Sequence, residues 1–273
     1  MGNFFTVTVK PLIPASIQHL GAFNSSLDVL FDWTSFDIPK GANRLIGITM
    51  LLRGTNGALQ EKKMDFYFAK SNADGTAPSS LGTLHAAADG TGYYNNLIAA
   101  THFETTGDFK DGLTFMSVAS TGQGGSATMS PSLVLQGEPN SGTNVGYDKL
   151  YVGGITMGAL NFSTNVLTTG ILDVSGLSTA VTGTLDDGSG GTADALKKFA
   201  VGDVIHAEDD VILGEIESLT ATTLTFRHDG KNGTPADFAA WQIQNGAGAA
   251  GDLANNEELY NINPVTLILS FER

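Results

Sequence analysis

The sequence predicts an all-β protein, in which a jelly-roll-like β-sandwich domain carries a small inserted β-barrel domain. Three observations support this fold class. Short apolar runs rich in β-branched and aromatic residues recur along the chain, and Gly, Asn, Asp and Ser turns separate them. Glycine accounts for 34 of the 273 residues, well above its usual share of about 7%. Helical periodicity, in contrast, is scarce.

The first domain begins with a strand at Phe4–Ile13, which mixes aromatic and β-branched residues. Leu27–Ile38 alternates in part and predicts a second strand. Gly54-Thr-Asn-Gly57 indicates a hairpin after Arg44–Leu52, because Asn-Gly tolerates positive φ. Gly92–Ala100 could form a helical turn or two. The remaining strands predicted for this domain are Lys62–Ala69, Leu113–Ala119, Ser132–Leu135, Lys149–Val152, Ile155–Phe162 and Pro264–Phe271.

A change in composition marks the inserted domain, whose strand signals lie between roughly Thr169 and Gln244. A polar loop at 185–192 lies within it, and a small-residue linker at 245–251 follows it. Its predicted strands are Ile171–Val174, Ala180–Leu185, Asp203–His206, Val211–Ser218, Thr223–Arg227 and Ala240–Gln244, with a short helix at Thr192–Phe199. The strand at the C-terminus has no neighbour of its own, so we expect Phe4–Ile13 to pair with Val265–Phe271. The predicted domains are therefore residues 1–168 with 252–273, and residues 169–251.

Composition excludes several classes of function. The net charge is −14, from 14 basic and 28 acidic residues, which disfavours a nucleic-acid partner because phosphate contacts need clustered Lys and Arg. The absence of cysteine excludes disulfides, thiolate metal sites and thiol nucleophiles. No apolar run approaches the length of a membrane span, and the N-terminus lacks a signal-peptide pattern. We expect a protein that is made in the cytoplasm and has no membrane partner.

No group of residues in the sequence predicts a metal site, a cofactor or a catalytic centre. The densest group of possible ligands is His206-Ala-Glu208-Asp209-Asp210, whose carboxylates would suit Ca²⁺, but it lies between two predicted strands and favours a solvated turn. Asp186-Asp187-Gly-Ser-Gly-Gly lacks the glutamate of a calcium loop. Carboxylates such as Asp65, Glu104 and Asp108 are scattered. The sequence therefore predicts a protein that is not an enzyme.

Four aromatic residues are candidates for surface contacts, because tyrosine and tryptophan rings can stack on sugars. Trp33 lies within an apolar alternation and Trp241 within a predicted strand, so both favour the core. Tyr93 and Tyr94 are flanked by Gly92 and two asparagines. This pair is the better candidate for an exposed contact.

Several segments resemble structural proteins of tailed-bacteriophage particles, notably marine and cyanobacterial ones. In the first domain they are Phe36-Asp-Ile-Pro-Lys-Gly-Ala, Arg53-Gly-Thr-Asn-Gly, Phe68-Ala-Lys-Ser and Pro78-Ser-Ser-Leu-Gly-Thr. In the inserted domain, Phe199-Ala-Val-Gly-Asp-Val-Ile-His and the stretch from Leu213-Gly-Glu-Ile to Phe226 are similar to small β-barrel modules of phage head and tail proteins. The Val-Gly-Asp turn would lead into one strand, and Leu-Gly-x-Ile would open the returning strand.

The resemblance implies a capsid decoration or cement protein, which would bind the major capsid protein on the outer surface of the phage head. It also implies a homo-oligomer, with a trimer favoured because trimers fit the three-fold sites of a capsid. The acidic charge suits the outer surface, since it would be repelled by packaged DNA. Two alternatives remain open: a tail, baseplate or fibre-associated protein built from the same β modules, and a carbohydrate-binding module that uses exposed aromatic residues.

Overall fold

The chain folds into antiparallel β-sheets, as the computed structural model of the protein shows. The structure describes residues 3–23, 27–39, 41–53, 63–103, 109–110, 116–120, 133–137, 149–162, 167–169, 180–186, 199–207, 212–227 and 259–273. Within these ranges, the helices are α1 (Ala15–Gln18) and a 3-10 helix at Gly92–Asn95. Most of the described residues lie in strands of three sheets, so the prediction of an all-β protein is confirmed.

The strands are numbered along the chain. They are β1 (Phe4–Val9), β2 (Asp28–Asp37), β3 (Gly41–Arg53), β4 (Met64–Lys70), β5 (Leu97–Phe103), β6 (Phe109–Lys110), β7 (Met116–Ser120), β8 (Leu133–Gly137), β9 (Lys149–Thr156), β10 (Leu167–Thr169), β11 (Ala180–Asp186), β12 (Val204–Ala207), β13 (Ile212–Leu219), β14 (Thr223–Arg227), β15 (Leu259–Asn261) and β16 (Val265–Glu272). Sheet A has the order β1-β16-β3-β7-β6, and β8 also pairs with β3. Sheet B has the order β2-β9-β4-β5, and sheet C has the order β10-β11-β14-β13-β12-β15.

Sheet A joins the two ends of the described chain. β1 pairs antiparallel with β16 along its whole length, from Phe4 opposite Glu272 to Val9 opposite Leu267. Reciprocal backbone hydrogen bonds between Asn3 and Arg273, of 3.4 and 2.9 Å, extend the pairing. The predicted pairing of the first and last strands is therefore confirmed, although β1 ends at Val9, before the two prolines.

The main core lies between sheets A and B. In β3, β4 and β16, alternate residues point inward because successive side chains of a strand face opposite sides. Sheet A contributes Val9, Leu45, Ile48, Met50, Leu52, Val265, Leu267, Leu269 and Phe271. Sheet B contributes Leu30, Phe31, Phe36, Met64, Phe66, Phe68, Phe103, Leu150 and Val152. The two sheets thus enclose one apolar layer, which is rich in contacts between phenylalanine rings.

The predicted hairpin between β3 and β4 is wrong. β3 pairs with β16, β7 and β8 in sheet A, whereas β4 pairs with β5 and β9 in sheet B. The residues of the Asn-Gly turn lie outside the described part of the chain. Ten residues separate the strands, more than enough to cross the roughly 10 Å between stacked sheets. The two strands thus contribute to the same core from different sheets.

The single strand β9 stands where the sequence predicts two strands, Lys149–Val152 and Ile155–Phe162, on either side of Gly153 and Gly154. Both glycines lie inside β9, where the backbone approaches neighbouring side chains closely. A Cβ on Gly154 would overlap the ring of Phe31, and a Cβ on Gly153 would overlap Leu81. These glycines therefore mark close packing within a strand rather than a turn between strands.

Sheet C confirms the positions of most strands predicted for the inserted domain. β11, β12, β13 and β14 agree with the predicted segments to within one residue at each end. At one side of this sheet, β12 pairs with β15, which precedes the C-terminal strand. The predicted strands Ile171–Val174 and Ala240–Gln244, and most of the predicted helix Thr192–Phe199, lie outside the described residues.

A buried polar junction connects sheets A and C. Arg53, at the end of β3, forms an ion pair with Asp203, which precedes β12. The Asp203 carboxylate also accepts hydrogen bonds from the Ala200 backbone N–H at 2.7 Å and the Asn261 side-chain amide at 3.1 Å. From α1, the Gln18 amide donates to the carbonyl of Asn261 at 2.9 Å. The Asp203 carboxylate thus has several polar partners, and the Arg53 guanidinium beside it is largely buried.

Burial lowers the pKa of Arg53 to about 10. The guanidinium therefore still carries its charge at neutral pH, and the loss of its carboxylate partner would leave that charge uncompensated. This asymmetry makes the junction sensitive to removal of one partner.

We expect Asp203→Ala to lower the free energy of unfolding by about 3 kcal/mol, because it leaves Arg53 with an unpaired, largely buried charge. Urea unfolding followed by circular dichroism measures the change. The matched control is Glu217→Ala, which removes the exposed ion pair with Arg227 and should cost less than about 1 kcal/mol. The double variant Arg53→Met with Asp203→Leu should recover the part of the loss that comes from the unpaired charge of Arg53, but not the part that comes from the lost hydrogen bonds of Ala200 and Asn261. Equal effects of Asp203→Ala and Glu217→Ala would contradict a special role for the junction.

Candidate functional site

A long connection between β4 and β5 covers the outer face of sheet B, which is the face turned away from the main core. The Trp33 indole donates a hydrogen bond to the Ser79 carbonyl at 2.7 Å, and the Leu81 backbone N–H donates to the Asp32 carboxylate at 3.1 Å. At its end, the Asn96 amide donates to the carbonyls of Lys70 and Ser71 at 3.2 and 3.0 Å. These bonds hold residues 71–96 in place with little regular secondary structure.

The connection closes a small second core on this outer face. Leu81 and Tyr93 from the connection pack with Val29 of β2 and Ile155 of β9, and all four are buried. Partly buried side chains surround them, namely Trp33, Tyr67, Leu84 and Ala88. The position of Tyr93 thus depends on packing between the connection and three strands of sheet B.

The two predicted contact residues, Tyr93 and Tyr94, differ in their exposure to solvent. Tyr94 is 61% exposed, as expected, whereas Tyr93 is only 5% exposed, so the expectation of exposure is wrong for Tyr93. Both belong to the 3-10 helix Gly92–Asn95, in which neighbouring side chains point about 120° apart. One ring therefore enters the second core and the other faces solvent. Their ring centroids lie 4.7 Å apart.

Aromatic rings extend from the exposed Tyr94 into the second core. The Tyr93 ring meets Trp33 at 5.7 Å and Tyr67 at 6.4 Å, both in edge-on arrangements. Such arrangements place a ring edge against the electron-rich face of its neighbour. Trp33 therefore belongs to a packed core, although it is only partly buried. The other tryptophan, Trp241, lies outside the described residues.

A histidine–carboxylate pair lies on the same face, beside Tyr67. Asp65 of β4 is directly opposite His102 of β5, and the imidazole Nδ1 is 2.5 Å from the carboxylate. Asp65 and Tyr67 share a face because they are two residues apart on one strand. The sequence reasoning missed His102 and Tyr67. The alternation of buried and partly buried residues in β4 is the signal that could have placed Asp65 and Tyr67 together.

The hydroxyls of Tyr93 and Tyr67 remain protonated well above neutral pH. Burial, followed by the neighbouring Tyr94 hydroxyl, raises the pKa of Tyr93 to about 12. Burial also raises the pKa of Tyr67, with smaller contributions from Asp65 and Tyr94. Both phenols are thus neutral hydrogen-bond donors, and Tyr67 shares one face of β4 with Asp65. The arrangement offers an exposed aromatic ring, phenolic donors and an anionic acceptor on one surface.

The other candidate residues form no comparable group in the described part of the chain. His206 is buried in sheet C beside Tyr260, with ring centroids 5.9 Å apart, while Glu208, Asp209 and Asp210 lie outside the described residues. Asp187 of the predicted polar loop lies outside them as well, as do Glu104 and Asp108. Among the described residues, no cluster of three or more His, Asp or Glu could hold a metal ion.

No helix in the same part of the chain has the length and apolar character needed to cross a membrane.

The segment around the Val-Gly-Asp turn has a structural role. The Asp203 backbone N–H donates to the Ala200 carbonyl at 3.1 Å, and the Asp203 carboxylate accepts from the Ala200 N–H. Gly202 adopts φ +86°, which favours glycine, and the turn leads directly into β12. In β13, Gly214 adopts φ +149°, and a Cβ there would overlap the Arg227 carbonyl. The glycines of both segments are therefore required by the backbone path.

Comparisons of the chain with protein-family models, with curated proteins and with solved structures found no match.

We expect Tyr93→Phe to reduce the loss of stability at alkaline pH. Because the folded-state pKa of about 12 lies above the ordinary value of 10, wild-type stability is complete below pH 10 and falls as the pH rises towards 12. Phenylalanine cannot ionise, so the variant should retain up to about 3 kcal/mol of the stability that the wild type loses in this window. Urea unfolding at pH 9, 10.5 and 12 measures the difference.

The Tyr93 hydroxyl interacts with Tyr94 and Tyr67, so the difference between the two proteins reports the Tyr93 hydroxyl together with its effect on these neighbours. The control is Tyr151→Phe, since burial and then Asp37 also raise the pKa of Tyr151. It should show a change in the same direction. A parallel loss of stability in wild type and Tyr93→Phe would show that the Tyr93 hydroxyl is not protected by the fold.

Proposed function

We propose that this chain is a capsid decoration or cement protein of a tailed bacteriophage, which binds the outer surface of the head and stabilises junctions between major capsid subunits. The observation that carries the proposal is the ion pair between Arg53 and Asp203. These residues belong to two of the segments that resemble phage particle proteins, the Arg53-Gly-Thr-Asn-Gly and Val-Gly-Asp segments. Both therefore contribute to a structural junction.

An ion pair that joins two sheets suits a protein whose sheets must keep their positions under mechanical strain. A cement protein bridges capsid subunits, which are pushed outward by the packaged DNA, so its own parts must stay in register. The buried carboxylate of Asp203 is linked to Arg53, Ala200 and Asn261 at once. Because loss of one partner would leave a buried charge uncompensated, the junction requires both segments to keep their native positions.

We further propose a finer architecture, in which sheets A and B form a jelly-roll-like sandwich and sheet C belongs to an inserted barrel. The sandwich would anchor the protein on the head, because both ends of the described chain meet in sheet A. The inserted domain would project outward or contact a neighbouring copy. Insertion at a surface loop is a tolerated way to add such a domain.

The charge of the chain agrees with a position on the outer surface. A net charge of −14 would be repelled by DNA on the inside of the shell. A stable protein interface buries on the order of 1,200–2,000 Å², and repeating it at every capsomer junction multiplies its effect. A trimer would place three such interfaces around a three-fold site of the capsid.

Phe4 is the best candidate for an anchoring contact on sheet A. It lies at the start of the edge strand β1 and is 69% exposed, while Phe5 and Val7 of the same strand pack on the core. Burying an exposed aromatic ring in an interface removes apolar surface from water, and aromatic residues are enriched at such interfaces. The capsid is thus proposed to cover the β1 side of the sandwich.

The test adds the full chain to expanded heads that lack it. We expect binding at a fixed ratio to the major capsid protein and a higher melting temperature of the heads, measured by sedimentation and calorimetry. Phe4→Ser should weaken binding about tenfold, because the ring is lost from the contact. The matched control is Leu12→Ser, an apolar residue outside sheet A that is 62% exposed.

Heads that melt at the same temperature after saturating addition would overturn the cement role. Equal weakening by Phe4→Ser and Leu12→Ser would overturn the assignment of the contact to β1. Binding to isolated tails instead of heads, seen by electron microscopy of the labelled protein, would favour the tail, baseplate or fibre alternative.

A further inference from the structure

We propose that the outer face of sheet B carries a binding site for a neutral saccharide, formed by Tyr94, Tyr67, Asp65 and His102. This site is separate from the proposed head contact at β1 in sheet A. The inference rests on the geometry of the described residues and does not require the capsid role. It adds a second binding function to the chain.

Tyr94 supplies the stacking surface. Its ring is 61% exposed, although the neighbouring Tyr93 ring supports it at a centroid distance of 4.7 Å. Pyranose rings have an apolar face of C–H groups, which packs against an aromatic face while the hydroxyls stay available for hydrogen bonds. A single exposed aromatic side chain is common on protein surfaces. What distinguishes Tyr94 is the set of polar groups beside it.

These polar groups match the hydroxyls of a sugar. The Asp65 carboxylate is an acceptor, and the Tyr67 phenol, which stays protonated, is a donor that also accepts. Both are partly exposed on one face of β4. The Tyr93 ring contacts both the Tyr94 ring, at a centroid distance of 4.7 Å, and the Tyr67 ring, at 6.4 Å. Because Asp65 and Tyr67 share one face of β4, a sugar stacked on Tyr94 would have an acceptor and a donor on the same surface.

The site is held in its binding geometry before a ligand arrives. The His102 imidazole fixes the Asp65 carboxylate from the neighbouring strand at 2.5 Å. Tyr93 anchors the 3-10 helix in the second core, and the Asn96 amide bonds the following residues to the end of β4. A rigid site loses little conformational entropy on binding, which favours affinity for weakly binding ligands such as sugars.

Charge selects among saccharides. The Asp65 carboxylate at the site and the net charge of −14 oppose sulfated, sialylated and uronic-acid sugars. Neutral hexoses and N-acetylated amino sugars carry no such penalty. The structure thus favours neutral glycans as the ligand class.

The test applies the full chain to a glycan array that holds neutral hexose, pentose and N-acetyl amino-sugar oligomers beside sialylated and sulfated ones. We expect binding to at least one neutral class, and titration with that oligomer gives the affinity. Tyr94→Ala should weaken it at least tenfold, and Tyr94→Phe, which keeps the ring, should retain most of it. Asp65→Asn should weaken it several-fold.

The matched control is Leu20→Ala, because Leu20 is 58% exposed but lies outside sheet B. Circular dichroism and thermal melting of each variant separate loss of binding from loss of folding. An array on which no neutral glycan binds, a preference for anionic glycans, or equal affinities of wild type and Tyr94→Ala would each overturn the proposal. Because the head-binding assay uses Phe4 on another sheet, either proposal can fail while the other stands.

Discussion

The C-terminal strand β16 lies between β1 and β3, and its hydrogen bonds to both neighbours hold sheet A together. Its four inward residues, Val265, Leu267, Leu269 and Phe271, are completely buried against sheet B. Without β16, β1 would be separated from the other strands of sheet A, which are β3, β6, β7 and β8. The rest of the fold depends on this long-range pairing, which closes only when the last residues of the chain are in place.

The residues before β16 extend this constraint to sheet C. β15 pairs with β12, and the Ile262 backbone bonds Val204 on one side and Ile13 on the other. The Arg53–Asp203 ion pair completes the junction, where a charge is tolerated in a buried position because several partners surround it. In the described part of this cysteine-free chain, strand pairing, the apolar core and the Arg53–Asp203 junction connect the sheets. That construction suits the proposed role in a particle under strain.

The outer face of sheet B combines rigidity with exposure. The connection between β4 and β5 buries Tyr93 and leaves Tyr94 in solvent, so the packed ring orients the exposed one. Asp65 and His102 are placed beside them by strand register alone. A surface of this kind could act in recognition while the opposite sheet of the sandwich serves as an anchor. The two proposed functions therefore occupy different faces of one scaffold.

The sequence by itself determined the all-β class, most strand positions in the described residues and the pairing of β1 with β16, because alternation and an unpartnered terminal strand are local signals. Only the tertiary structure decided that β3 and β4 lie in different sheets and that Gly153 and Gly154 sit within a strand. It also decided which of Tyr93 and Tyr94 is exposed, and that His102 meets Asp65. These outcomes depend on contacts between residues far apart in the chain, about which local patterns carry no information.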